Sequence, residues 1–148
     1  MFEQKQIHGT LITLCKKGVL IVGASGSGKS DLALRLIMNK KAQLVADDVV
    51  ILQREGDKII GFSPEKIKGL FEVRGVGIVR FPYLEETPIN LVVRLVDAPE
   101  KIERMPKDAH ENILGLAIAQ IDLYAKENSA PEKVALKLSG TIMNDALL

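Results

Sequence analysis

Residues 23 to 30 read Gly23-Ala24-Ser25-Gly26-Ser27-Gly28-Lys29-Ser30, the G-x-x-x-x-G-K-S spacing of a phosphate-binding loop. Glycines at 23, 26 and 28 let the backbone curl until successive N–H groups face phosphate oxygens. Lys29 is then placed to reach the β- and γ-phosphates of a nucleotide, and the Ser30 hydroxyl to meet Mg²⁺. Phosphoryl transfer also needs a carboxylate for the metal or the acceptor and a cation for the moving charge. Asp47 and Asp48 follow an apolar run, and adjacent residues at a strand end point to opposite sides. One of them can approach the metal while the other faces the acceptor hydroxyl; a simple Asx-type turn is the competing reading. Glu72 and Arg74 lie two apart and share a face if extended, a carboxylate for Mg²⁺ and a guanidinium for phosphate oxygens. An exposed ion pair is the alternative there. His8, alone between Ile7 and Gly9, reads on its own as structural, and His110 in a charged stretch takes no role.

The elements that must position these groups are legible in outline. Val19-Leu20-Ile21-Val22 is short and apolar, as a buried parallel strand requires, and it runs straight into the glycine loop. Leu32, Ala33, Leu36 and Ile37 then recur at helical spacing, predicting a helix from about Lys29 to Asn39 whose N-terminus faces the phosphates. Ile7 to Leu14 reads as one neighbouring strand, joined to Val19–Val22 by the polar turn Cys15 to Gly18. Gln43 to Ala46 is a strand leading to the aspartate pair, and Val49 to Gln53 with Lys58 to Phe62 form a hairpin around Arg54 to Asp57. Glu65 to Leu70 fits helix or loop, and Leu70 to Arg74 a strand running into a loop. Ile89 to Val96 is a strongly apolar strand, Ala98 to Asp108 a surface loop, and Ile113 to Leu123 fits either strand or helix. Ser129-Ala130-Pro131-Glu132 has the form of a capping box opening a last helix that ends by Gly140.

Composition narrows the function classes. A chain of 148 residues predicts one domain over 1–148 that buries about two-thirds of its unfolded surface. Twenty basic residues against nineteen acidic ones leave +1, so nucleic-acid binding has no overall electrostatic support. Four Phe, two Tyr and no Trp offer no base-stacking platform. Cys15 is the single cysteine, which excludes an intramolecular disulfide and points to a reducing compartment. It lies between Leu14 and Lys16 in an apolar stretch, which predicts a core thiol. No signal peptide is visible, and no stretch reaches the roughly 18 apolar residues of a membrane span, so the expected place is the cytoplasm.

The order His8-Gly9, then Gly23 to Ser30, then Leu44-Val45-Ala46-Asp47-Asp48, then Phe71-Glu72-Val73-Arg74-Gly75-Val76-Gly77-Ile78 resembles the catalytic domain of HPr kinase/phosphorylase. The E-x-R-G-x-G-I element discriminates, because phosphate-loop proteins in general do not carry it. The resemblance is strongest over residues 7 to 97 and is closest to the short alphaproteobacterial form. It implies an α/β phosphate-loop fold of the phosphoenolpyruvate-carboxykinase type, a central mixed sheet with flanking helices. It implies ATP and Mg²⁺ as cofactors, with a serine of HPr, a carrier of the sugar phosphotransferase system, as acceptor. By the same resemblance Gly23 to Ser30 bind nucleotide, Ser30 and Glu72 contact Mg²⁺, and His8 and Arg74 line the site. One of Asp47 and Asp48 takes the serine proton, with the choice left open. Bifunctional relatives carry a P-x-R-P-G-R-like loop for the reverse, phosphorolytic reaction. Here the corresponding region offers Pro131-Glu132-Lys133 and no arginine beyond Arg104, and the chain stops at Leu148. The expectation is therefore kinase over phosphorylase activity, with the family's hexamer not assumed and a homo-oligomer left open.

Two other readings fit the same loop. A nucleotide-sensing module would bind ATP and transfer nothing. A small-molecule kinase would share the catalytic residues and differ in its acceptor pocket. Saturating nucleotide stabilises the fold in every case, by about 2.7 kcal/mol at 100 times the dissociation constant, so only transfer separates them.

Overall fold

The computed structural model describes residues 3–140 and 142; residues 1–2, 141 and 143–148, which the single-domain expectation also covers, lie outside them. The first half of the chain folds as β1 (Gln4–His8), β2 (Thr10–Leu14), β3 (Lys17–Val22), α1 (Lys29–Lys40), β4 (Gln43–Ala46), β5 (Val49–Glu55) and β6 (Lys58–Phe62). The second half folds as β7 (Leu70–Val73), β8 (Gly77–Arg80), β9 (Thr87–Leu95), β10 (Ala109–Ile113), β11 (Leu116–Leu123) and α2 (Ala130–Ser139).

Strand β3 is apolar because it is covered on both faces. Val19 and Ile21 turn toward the helices, while Leu20 turns to the opposite side. It runs parallel to β9 and antiparallel to β2, and β9 in turn runs parallel to β11. The remaining pairings are antiparallel, giving a mixed sheet in the order β1-β5-β6-β9-β3-β2-β4 with β11 and β10 joined beside β9. At nine residues, β9 is long enough to pair with β6 near Pro88 and with β11 from Val92 onward, so the sheet curls. One face carries α1 and α2 over Ile12, Val19, Ile21, Leu91 and Val93. The other encloses a second core of Leu11, Leu20, Val50, Leu52, Ile59 and Val92. This is the expected mixed sheet with helices, both of them on one face.

Several local expectations are revised. The segment Ile7 to Leu14 is two strands: β1 pairs with β5, and β2 with β3 and β4. The chain changes partners at Gly9, whose N–H donates to the Asp48 carbonyl at 3.1 Å. Cys15 is exposed and not a core thiol. It and Lys16 have φ of 53° and 63°, and Leu14 pairs with Lys17, so they form a tight two-residue hairpin turn projecting from the sheet. The ambiguous segment 113–123 is a hairpin arm, because β11 finds a parallel neighbour in β9 and turns back through Leu114-Gly115 to β10. The capping box does not form: Ser129 makes no side-chain cap bond, and Glu132 instead lies 3.9 Å from Lys40 of α1. The 54–57 turn is tighter than expected, since Glu55 pairs with Lys58 around Gly56-Asp57.

Candidate active site

The glycine loop fills the gap between the end of β3 at Val22 and the start of α1 at Lys29. Gly26 and Gly28 have φ of 80° and 99°, a region closed to most side chains, which lets the loop fold back over the helix start. Gly28 caps α1 with no side-chain bond, so first-turn N–H groups remain available to an anion. A Cβ on Gly28 would stand 2.9 Å from the Ala125 Cβ, so the segment after β11 seals the flank of the loop. Arg35 of α1 holds that segment by donating to the Ala125 and Glu127 carbonyls. Lys29 Nζ donates to the Gly23 and Ala24 carbonyls at 3.0 and 3.1 Å, folded along the loop it would leave to meet phosphate.

Across from the loop, β4 delivers Asp47, which is buried. Its Oδ1 accepts from Ser30 Oγ at 2.8 Å and from Thr10 Oγ1 at 2.9 Å. Burial pushes the Asp47 carboxyl above its ordinary value; the Ser30 and Thr10 hydrogen bonds oppose the shift without cancelling it. Asp48 differs in kind. It is exposed, its φ is 70°, and the Val49 N–H bonds back to the Asp47 carbonyl at 2.8 Å, a three-residue turn of the rare positive-φ type. The turn therefore gives the two carboxylates different settings, Asp47 buried and bonded to the loop serine, Asp48 exposed at the same cleft.

The raised Asp47 value has a stability consequence. Between the ordinary carboxyl value near 3.8 and the higher native one, the folded state binds the extra proton, so stability falls as pH rises through that window. At neutral pH ionised Asp47 carries that whole cost. Asp47→Asn keeps an acceptor for Thr10 and Ser30 and removes the buried charge. Thermal unfolding at pH 7 should show a higher Tm than wild type, with the gap closing toward pH 4. A lower Tm at pH 7 would mean that the charge itself holds the loop.

The third wall is the β7–β8 hairpin. Phe71 is buried and meets Phe81 edge-on at 5.6 Å, which fixes the register of β7. Glu72 is thereby turned outward, and Arg74 follows in the turn before Gly75. Neither forms a salt bridge with a described residue, so the ion-pair alternative is not what the hairpin does. Both face a cleft of about 720 Å³ that is also lined by Ser25, Gly26, Gly28, Lys29, Ser30, Asp47 and Asp48. Gly23, Ala24 and Ser27 of the loop do not line it. Nor does His8, which pairs with Val49 of β5 and is among the residues lining a neighbouring cavity of about 340 Å³ with Lys5, Arg94 and Gly23.

Ser30, Asp47 and Glu72 supply only hard oxygen donors. No cluster of three or more acidic, His or Cys ligands exists among the described residues. That sparse set fits Mg²⁺, which takes one or two carboxylates and leaves its other positions to phosphate and water. Thr10 is the site residue that motif reading passed over. Its signal is a hydroxyl at the start of a mostly apolar strand, directly after His8-Gly9.

The sequence profile of the HPr Serine kinase C-terminal domain matches residues 1–135. The HPr kinase/phosphorylase of Malacoplasma penetrans is 36% identical over 127 residues, covering 78% of this chain and 42% of that protein. That of Bordetella pertussis is 35% identical over 152 aligned positions, covering 95% of this chain and 48% of the relative. The chain therefore spans less than half the length of these two relatives. The solved structure of the Hpr(Ser) kinase/phosphatase from Coxiella burnetii is similar with a TM-score of 0.79 at 29% identity, covering 97% of each chain. Among the described residues no helix is long and apolar enough to cross a membrane.

Proposed function

Since the chain belongs to the HPr serine kinase C-terminal domain family, we propose that it transfers the γ-phosphoryl group of ATP to a serine of HPr or a related phosphotransferase carrier. The observation that carries this reading is the division of labour at the aspartate pair. Asp47 is bonded to Ser30 of the phosphate loop, while Asp48 stands free of it in the same cleft. Phosphoryl transfer needs one carboxylate on the metal side and one group for the acceptor proton.

The chain's residues divide the work accordingly. The loop N–H groups and Lys29 grip the β- and γ-phosphates, Lys29 exchanging its two carbonyl partners for phosphate oxygens. Ser30, Asp47 and Glu72 would hold Mg²⁺ directly or through water. Mg²⁺, when bound with the nucleotide, neutralises charge on the phosphates and keeps them aligned. Asp48 accepts the proton of the incoming serine hydroxyl as its oxygen bonds to the γ-phosphorus and the bond to the ADP oxygen breaks. Arg74 stabilises charge on the equatorial oxygens of the transferring group. A part for His8 rests on the family resemblance, since His8 lines the adjacent cavity and not the cleft. Pro131 to Lys133 form the first turn of α2, which supports the kinase over the phosphorylase direction. The reading takes the chain as one catalytic unit acting on a cytoplasmic carrier.

Mass spectrometry of purified HPr after incubation with this protein and Mg-ATP tests the proposal. One phosphate added to a serine of HPr is the expected result. Nucleotide binding with unmodified HPr would shift the reading to a sensor module or another acceptor.

A further inference from the structure

Thr10 opens β2 with no solvent exposure, yet its side chain reaches the wall of the cleft. Its hydroxyl donates to Asp47 Oδ1, the same oxygen that accepts from Ser30 Oγ. Two donors from two different elements, β2 and α1, thus converge on one atom of a carboxylate carried by the end of β4. The torsion that turns an aspartate carboxylate is broad and soft, so a single donor would leave its plane free to rock. Thr10 itself is anchored: it pairs with Ile21 of β3, and its neighbour Leu11 pairs with Ala46 next to Asp47.

The consequence reaches the metal side through Ser30. A serine hydroxyl has one proton and two lone pairs. Donating its proton to a fixed Asp47 oxygen leaves the lone pairs of Ser30 turned toward the cleft, where a cation would take them. We infer that Thr10 is a positioning residue: it fixes the Asp47 carboxylate so that Ser30 presents its oxygen to Mg²⁺. The inference rests on reading the loop as a Mg-nucleotide site and does not depend on HPr being the acceptor.

The test compares wild type with Thr10→Val, which keeps the branched shape and removes the donor, and with Thr10→Ser, which restores it. Affinity for a non-hydrolysable ATP analogue is measured by calorimetry without metal and across a series of free Mg²⁺ concentrations. Partners that orient a metal's ligands are worth about 10–100-fold in metal affinity. Thr10→Val should therefore raise the half-saturating Mg²⁺ about tenfold, leave metal-free nucleotide affinity unchanged, and be restored by Thr10→Ser. An unchanged Mg²⁺ requirement, an equal loss with and without Mg²⁺, or failure of Thr10→Ser to restore would each overturn the role. Crystal structures of the same proteins give a readout free of ligand. The Asp47 carboxylate should turn away from Ser30 in Thr10→Val, and an unmoved carboxylate overturns the inference. If the wild type bound no nucleotide, the functional reading would fall while these structures still decided the role of Thr10. Thr10→Ala replaces Thr10→Val in every arm should valine unfold the strand.

Discussion

Lys29→Ala should lower phosphotransfer to HPr by about 10²–10³-fold, the cost of deleting one preorganised charged donor, and leave the domain folded. In the structure Lys29 Nζ has only the Gly23 and Ala24 carbonyls as partners among the described residues, and both belong to the loop itself. Truncation removes two hydrogen bonds worth about 1 kcal/mol each, and water entering the open cleft replaces them in part. Alanine is also the best helix former at the first position of α1. A loss of about 1 kcal/mol lowers Tm by roughly 2–5 °C in a domain this size, which leaves the variant fully folded at assay temperature. Lys29→Arg should fail to restore transfer, because a planar guanidinium does not replace a compact ammonium inside a curled loop. The measurement is single-turnover transfer alongside thermal unfolding. Near-normal transfer by Lys29→Ala would remove Lys29 from the mechanism, and collapse of the fold would make its role structural.

What the sequence could reveal followed the range of the interactions involved. The glycine loop, β3 and α1 were legible because their determinants are local: positive-φ glycines, an apolar run, a 3.6-residue period. The aspartate pair was legible as a pair for the same reason. Which member does what was not, because it depends on Ser30, seventeen positions away, and on Thr10, thirty-seven away, both bonding Asp47. The division of Ile7 to Leu14 at Gly9 is not legible in the sequence because both halves are extended; only their partners differ. The apolar stretch that ends at Leu14 points to a core position for Cys15, but β2 and β3 need a two-residue reversal there and the reversal faces outward. His8 shows the reach of a motif: its identity matches the family, and it lines the cavity beside the cleft and not the cleft itself.

Asp47 and Asp48 are adjacent in sequence and opposite in environment, and that contrast sets the second large effect. Asp48→Asn should lower the rate of transfer to HPr by about 10²–10⁴-fold, the usual contribution of a positioned general base. Its Mg-nucleotide affinity and Tm should match wild type. The backbone licenses this asymmetry, because φ of 70° is a conformation that asparagine accepts more readily than most residues. The turn bond from the Val49 N–H to the Asp47 carbonyl and the Gly9 N–H bond to the Asp48 carbonyl involve main chain alone and survive the change. Asparagine keeps the size of the side chain and loses only the ability to take a proton. Asp47→Asn separates from it cleanly, since Asp47 is tied to Ser30 and its loss should appear first in the Mg²⁺ requirement. Rapid-quench transfer assays with calorimetric Mg-nucleotide binding on both variants read the two effects apart. Wild-type transfer by Asp48→Asn, with transfer lost and Mg²⁺ affinity kept in Asp47→Asn, would reverse the two roles. Asp48 would then be left as the strained turn that holds the buried Asp47 in place.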